Sequence, residues 1–270
     1  MQRARIALHG HPIELEFAWV GQARAEAPLI VFLHEGLGSL ATWGDWPAAL
    51  CEASGCNGLV YSRYGYGGST ARPDSEPWPV DYLEREALEL LPALLLALEI
   101  DPTRDKPVLF GHSDGGSIAL MYAAAFPASV GAVVAVASHL FTEQVGLARI
   151  RKLNDKQLNS TLLANLAAVH HNPVQLFQGW SELWLSERFR SWDIRPCLRK
   201  ITCSMLAVQG DRDEYGTLAQ LDEIVHNVAH AKMVVLAECG HFPHIEQATP
   251  LAHTVVEFLK AERLVRELPA

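Results

Sequence analysis

The chain has 270 residues, 49% of them hydrophobic and 20% charged, which is enough for one large globular domain with a sizeable core. Its formal net charge is −9 at neutral pH and no run of Lys or Arg stands out, which excludes a nucleic-acid partner from the expectation. The most apolar stretch, Leu88 to Leu98, is interrupted by Glu89 and Pro92 and is too short to span a bilayer, so no membrane partner is expected either.

Residues 3–9, the Gly10-His11 turn and the alternation of Ile13, Leu15, Phe17 and Trp19 with Glu14, Glu16 and Ala18 predict an opening hairpin. No apolar h-region precedes it, and no signal peptide is expected. Leu29 to Leu33 reads as a buried strand, Trp43 to Ala53 as a helix and Gly58 to Tyr61 as a short strand. Val80 to Ile100 reads as a helix kinked at Pro92. Val108-Leu109-Phe110 is a strand leading into a helix that ends at Phe126-Pro127, and Val130 to Ala137 is the next strand. Cys203 to Val208 and Met233 to Leu236 are late strands around a helix over Leu218 to Val228, and Phe242 to Leu264 is mostly a closing helix. Such alternation predicts an α/β fold: a mostly parallel, doubly wound sheet of about eight strands with helices on both faces. The segment 139–195 breaks the pattern. It has helical periodicity, no convincing strand and many aromatic residues, among them Phe141, Phe177, Trp180, Trp184, Phe189 and Trp192. It reads as a helical lid inserted into a core made of 1–138 and 196–270, covering the sheet edge where open α/β folds bind ligands.

Five cysteines, Cys51, Cys56, Cys197, Cys203 and Cys239, are scattered without a C-x-x-C pair. They predict neither a zinc ribbon nor a disulfide framework, but reduced thiols in a cytoplasmic protein. His226 and His230 have i,i+4 spacing and His170-His171 are adjacent, but neither pair has a third ligand in view, and no metal is expected.

The strongest signal is Gly111-His112-Ser113-Asp114-Gly115, a G-x-S-x-G pattern between a buried apolar run and a helix-forming run. In this context it reads as a nucleophile elbow, a sharp turn that lifts a serine oxygen out of a sheet. The serine then sits at a helix N-terminus, where free N–H groups favour developing negative charge. A serine alcohol needs a base within reach and a third group to orient that base. The loop Gly210-Asp211-Arg212-Asp213 offers two carboxylates after one buried strand, and Gly240-His241 offers an imidazole after the next. The order is serine, acid, histidine.

On these residues the chain resembles the α/β-hydrolase family, of the smaller lid-bearing kind. Leu33-His34-Glu35-Gly36-Leu37-Gly38 is similar to its oxyanion loop, Tyr64-Gly65-Tyr66-Gly67-Gly68-Ser69 to its glycine-rich turn, Gly210 to Asp213 to its G-x-x-D acid loop, and Gly240-His241 to its terminal G-H. The resemblance implies Ser113 as nucleophile, His241 as general base and acid, and Asp213 as the group orienting His241. Asp211 is the competing acid, and Glu214 stands further down. His112 and His244 are read as structural or supporting. The implied oxyanion hole is formed by the backbone N–H groups of Gly36 and Asp114. Glu35 departs from the family, which usually has glycine there. A carboxylate aimed at the hole would oppose the oxyanion, so its side chain is expected to turn away into a buried network.

The implied activity is two-step acyl transfer on a small or medium carboxylic ester, with no metal or organic cofactor. Trp43, Phe141, Trp180 and Trp184 are the candidate walls of a pocket for an apolar or aromatic acyl group, against the plainer reading that such residues pack the lid onto the body. A C–C bond hydrolase, thioesterase, lactonase or perhydrolase would use the same triad. A ligand-binding receptor that keeps the fold is the alternative from another class. The sequence leaves the oligomeric state open.

Overall fold

Residues 2–24, 26–73 and 75–265 are described by a computed structural model. Eight strands form one sheet: β1 (Gln2–Leu8), β2 (His11–Val20), β3 (Leu29–Leu33), β4 (Asn57–Tyr61), β5 (Val108–His112), β6 (Ala132–Val136), β7 (Ser204–Gly210) and β8 (Lys232–Leu236). Their order across the sheet is β1-β2-β4-β3-β5-β6-β7-β8. The hairpin β1–β2 and the β2–β4 pair are antiparallel, and all later pairs are parallel. Each crossover carries helix, which is why the parallel part is covered on both faces.

The helices in chain order are α1 (Trp46–Ser54), α2 (Tyr82–Arg85), α3 (Leu91–Ala97), α4 (Pro102–Asp105), α5 (Asp114–Ala125), α6 (Gln144–Leu153), α7 (Lys156–Ala167), α8 (Pro173–Leu185), α9 (Arg195–Leu198), α10 (Ala219–Asn227), α11 (Pro243–Glu246) and α12 (Ala248–Ala261). The period of two along the strands divides the core. Ile30, Phe32, Val108, Phe110, Leu206 and Val208 face α1 and α12. Val31, Leu33, Leu109, Val133, Met205 and Ala207 face the other layer with α3 and α5. Helix α5 is buried along almost its whole length and, past its polar start at Asp114 and Ser117, largely apolar on every side, as expected of an enclosed helix.

Several boundaries differ from the sequence expectation. The helix over 80–100 is three pieces: α2, a π-helical turn over Glu86–Leu90, and α3. Pro92 has no N–H to give to the preceding turn, and the wider turn just before it accommodates that loss. The expected helix from Trp43 is a short 3-10 turn, Ala41–Trp43, then Gly44 at φ +57°, then α1. The closing helix breaks at Gln247 into α11 and α12. In β2 the alternation gives way near its end. Trp19 is about half exposed and Glu16 is buried, where it accepts a hydrogen bond from the Ser62 hydroxyl. Gly67 and Gly68 make room for that carboxylate, since a Cβ on either would collide with it.

Between β6 and β7 lie α6, α7, α8 and α9, with no strand among the described residues beyond one isolated bridge, Phe141 to Asp193. This insertion follows the carboxyl end of β6 and faces the same edge as the loops after β3, β5, β7 and β8. No helix among the described residues is long and apolar enough to cross a membrane.

Candidate active site

Strand β5 ends at His112, and Ser113 turns the chain into α5 at φ +54°, a conformation that L-residues avoid and that marks stored strain. The turn is possible because its glycines lack side chains. A Cβ on Gly111 would be driven into the Gly115 carbonyl, and one on Gly115 into the Leu33 carbonyl of the neighbouring strand. Ser113 is therefore held above the sheet, 6% exposed, at the first turn of α5.

The loops after β7 and β8 bring their side chains to this serine. Ser113 Oγ lies 3.0 Å from His241 Nε2, and His241 Nδ1 lies 2.9 and 3.0 Å from the two oxygens of Asp213. With Nδ1–H donating to the carboxylate, Nε2 carries the lone pair and accepts from the serine hydroxyl. Asp213 also accepts from the Tyr215 and Gly216 N–H groups and the Gln209 side-chain amide. Burial pushes the Asp213 carboxyl up, but the His241 hydrogen bond and charge, helped by the Tyr215 N–H, outweigh it and hold it below the ordinary range. Asp211 makes a different contact. Its carboxylate accepts from the Cys239 N–H and ties the two loops together. Glu214 lies beside Arg149 instead.

Gly36 and Asp114 face the same cavity as Ser113 and His241. As the first residue of α5, Asp114 has an N–H with no partner inside the helix. Its side chain is turned away and buried, where it accepts from the Tyr82 hydroxyl at 2.7 Å and lies 3.5 Å from the Arg63 guanidinium. Burial pushes this carboxyl up, against the pull of Arg63 and Tyr82. Arg63 is itself buried and donates to the Glu35 carbonyl at 2.8 Å, while its backbone N–H donates to His34 Nε2. His34 Nδ1–H then reaches the Glu35 carbonyl. One arginine thus fixes the 34–38 loop and the start of α5 relative to each other. Sequence reasoning missed Arg63 and Tyr82. The only signal was a charged residue two positions after the apolar run of β4.

The Glu35 side chain folds back over Gly38, with Oε2 3.6 Å from His112 Nδ1, too long for a hydrogen bond. Burial raises Glu35, but the imidazoles of His112, His34 and His244 outweigh it and keep the carboxylate ionised. His112 donates from Nε2 to the His241 carbonyl at 2.7 Å, so it supports the histidine loop from behind. His170 accepts from the Gly67 N–H and donates to the Leu37 carbonyl, joining the insertion to the oxyanion-like loop. Among the described residues no His, Cys, Asp or Glu group is arranged to hold a metal ion.

The cavity above Ser113 has a volume of about 60 Å³. Trp180 and Trp184 line it, as do Leu147 and Ile150 of α6 and His139, Glu143, Tyr215 and Phe242. Trp43 does not. It is buried in the layer behind the sheet, against Phe32, Trp46, Phe110 and His244, because the 3-10 turn at Ala41–Trp43 points it inward. Phe141 is also outside the lining; it bridges to Asp193 and lies under the Arg195 guanidinium. Both had been expected in the pocket wall. A larger groove, about 1000 Å³, runs along the opposite edge of the sheet between residues such as Trp19, Asn57 and Lys106, far from any of these groups.

Comparison with known proteins agrees with this architecture. Residues 30–254 match the model of the alpha/beta hydrolase family. The chain is 24% identical to 3-oxoadipate enol-lactonase 2 of Acinetobacter baylyi, over 94% of this chain and 96% of that protein. It is 23% identical to the proline iminopeptidase of Saccharolobus solfataricus, over 85% and 84% of the two chains. In structure it is similar to the enol-lactonase from Burkholderia xenovorans LB400, with a TM-score of 0.71 and 22% identity, covering 92% of this chain and 97% of that one. A thermophilic esterase from Thermogutta terrifontis gives a TM-score of 0.72 at 19% identity, covering 97% and 99%. With the sheet order, the elbow and a family match over most of its length, the chain belongs to the α/β hydrolase family.

Proposed function

We propose that this protein is a serine hydrolase that cleaves a small carboxylic ester through an acyl-enzyme, with the 139–195 insertion as its lid. The observation that carries the reading is the unbroken contact Asp213–His241–Ser113, of which Ser113 and His241 line one cavity with Gly36 and Asp114. In the first step His241 Nε2 takes the hydroxyl proton as Ser113 Oγ attacks the carbonyl carbon. Asp213 holds the imidazole tautomer and stabilises the imidazolium. The tetrahedral oxyanion is received by the N–H groups of Gly36 and Asp114, and the imidazolium then protonates the departing alkoxide. Water repeats the sequence on the acyl-enzyme. Removing one oxyanion donor in such a site typically costs about 10²–10³ in kcat.

The cavity constrains the substrate. Its volume suits a short acyl group, and its aromatic and aliphatic walls suit an apolar one. No Lys or Arg is among the described lining residues, so the cavity offers a substrate's own carboxylate no cationic partner. A lactone is the second reading, because it is an internal ester open to the same attack and two of the similar proteins are enol-lactonases.

Steady-state hydrolysis of p-nitrophenyl acetate, butyrate and octanoate, beside Ser113→Ala, tests this. The expected result is multiple turnovers on the two short esters, a fall with the octanoate, and loss of turnover in the variant. Undiminished turnover in Ser113→Ala would remove Ser113 from the mechanism.

A further inference from the structure

Four of the indole groups near the site differ in what their N–H does. Trp184 Nε1 donates to the Tyr82 hydroxyl at 2.9 Å. Trp43 and Trp78 have no acceptor among the described residues, but neither lines the cavity; one packs behind the sheet and the other against Gly179 of α8. Trp180 combines the two properties that matter. It lines the cavity above Ser113, and its Nε1–H is buried without a partner among the described residues, in a side chain only 6% exposed. The nitrogen sits directly against Gly36, where a Cβ would collide with it. A buried donor left unpaired is costly, so in a cavity wall it is a group waiting for an acceptor.

The position of the indole says which part of a substrate would supply that acceptor. The leaving group must lie near His241, which protonates it. The ring neighbours of His241 are His112, His139, Tyr215 and Phe242, whereas Trp180 has Trp184 as its ring neighbour and Gly36 beneath it. An indole seated against Gly36, and not in ring contact with His241, fits the acyl side of the scissile carbonyl. We propose that Trp180 Nε1–H is a specificity-determining donor that selects acyl groups carrying an acceptor oxygen close to the carbonyl, such as alkoxy-, hydroxy- or oxo-acyl groups, over plain hydrocarbon chains. This rests on the serine hydrolase reading and deepens it. A site built around a donor rejects the analogue that lacks the acceptor, because the donor is then desolvated for nothing.

The test compares p-nitrophenyl methoxyacetate with p-nitrophenyl butyrate, whose acyl chains differ by one oxygen in place of a methylene. The ratio of their kcat/KM values is divided by the ratio of their hydroxide-catalysed rates, which removes intrinsic reactivity. The expected result is a corrected preference for the methoxyacetate of about tenfold or more, falling towards unity in Trp180→Phe. A corrected ratio that is the same in both proteins, whatever happens to the individual rates, would overturn the proposal, because loss of packing alone does not distinguish oxygen from methylene. Absence of any Ser113-dependent turnover would count against the hydrolase reading instead. In that event the donor is tested by binding. The ¹⁵N–H resonance of the Trp180 indole, assigned by its disappearance in Trp180→Phe and Trp180→Tyr, is followed while methyl methoxyacetate or methyl butyrate is added to Ser113→Ala. A downfield shift with the methoxyacetate alone supports the proposal, and the same response to both esters contradicts it.

Discussion

Asp213 and Asp211 stand two positions apart in one loop and make different contacts, so their substitution separates positioning of the histidine from support of the loop. Asp213 touches both the imidazole and three further donors, whereas Asp211 holds the Cys239 N–H. Asp213→Asn leaves the loop's shape nearly intact but turns the imidazole tautomer, and kcat should fall about 10⁴-fold. An asparagine at 211 can still accept from Cys239, so Asp211→Asn should stay within a few-fold of the parent, a change of about 0.5 kcal/mol. Steady-state kinetics on one activated ester distinguishes the two, and equal losses would show that the loop matters only as a whole. Choosing between these carboxylates from sequence required a resemblance, because both follow the same strand and only the three-dimensional path of the loop says which one meets His241. Trp43 and Phe141 were misplaced for a related reason. An aromatic residue is recognisable in a sequence, but the face of the fold it turns towards depends on rotations set by distant contacts.

At the scale of elements, the elbow is made by two backbones that approach until no side chain fits between them. Gly115 of α5 lies against the end of β3, and Gly111 of β5 against the first turn of α5. Gly115→Ala forces that crossing apart and is expected to cost about 1–3 kcal/mol or more, seen as a lower urea midpoint with an unchanged slope. A midpoint equal to the parent would mean that the helix moves aside without penalty. The same crossing explains why the sequence announced the site so clearly: the steric demand is local, and only glycine meets it. The π-helical turn over Glu86–Leu90 had no such local signature beyond Pro92, and the network of Arg63, Tyr82, Asp114 and Trp184 draws on four separate segments. Interactions of that kind are invisible until the chain is folded.

Over the whole molecule, the buried histidines around the site make stability depend on pH. Burial, with the neighbouring imidazoles, lowers His139 and His244 from the ordinary 6.5 to about 3. The unfolded chain therefore binds more protons than the folded one between those values, and stability rises with pH across that window. The contribution is intact above about pH 6.5 and is lost progressively as pH falls towards 3. At pH 5 each of the two should cost about 1–2 kcal/mol relative to pH 7. The depressed carboxyls of Glu35 and Asp213 act in the same direction at lower pH, where their protonation in the unfolded chain begins. Urea unfolding at pH 7 and pH 5 checks this, and His244→Phe should flatten the dependence; equal stability at the two pH values would contradict it. The strands were largely legible, since apolar runs and period-two alternation are local, and the helix ends were less so because packing and glycine breaks set them. The central claim is that Ser113 is a nucleophile activated by its neighbours. Its most direct test is intact-mass and peptide mapping after brief exposure to a fluorophosphonate. One phosphonyl group per chain, on Ser113 and absent from a folded Ser113→Ala, is the predicted result. Labelling at another residue, or labelling that survives the substitution, would contradict the account.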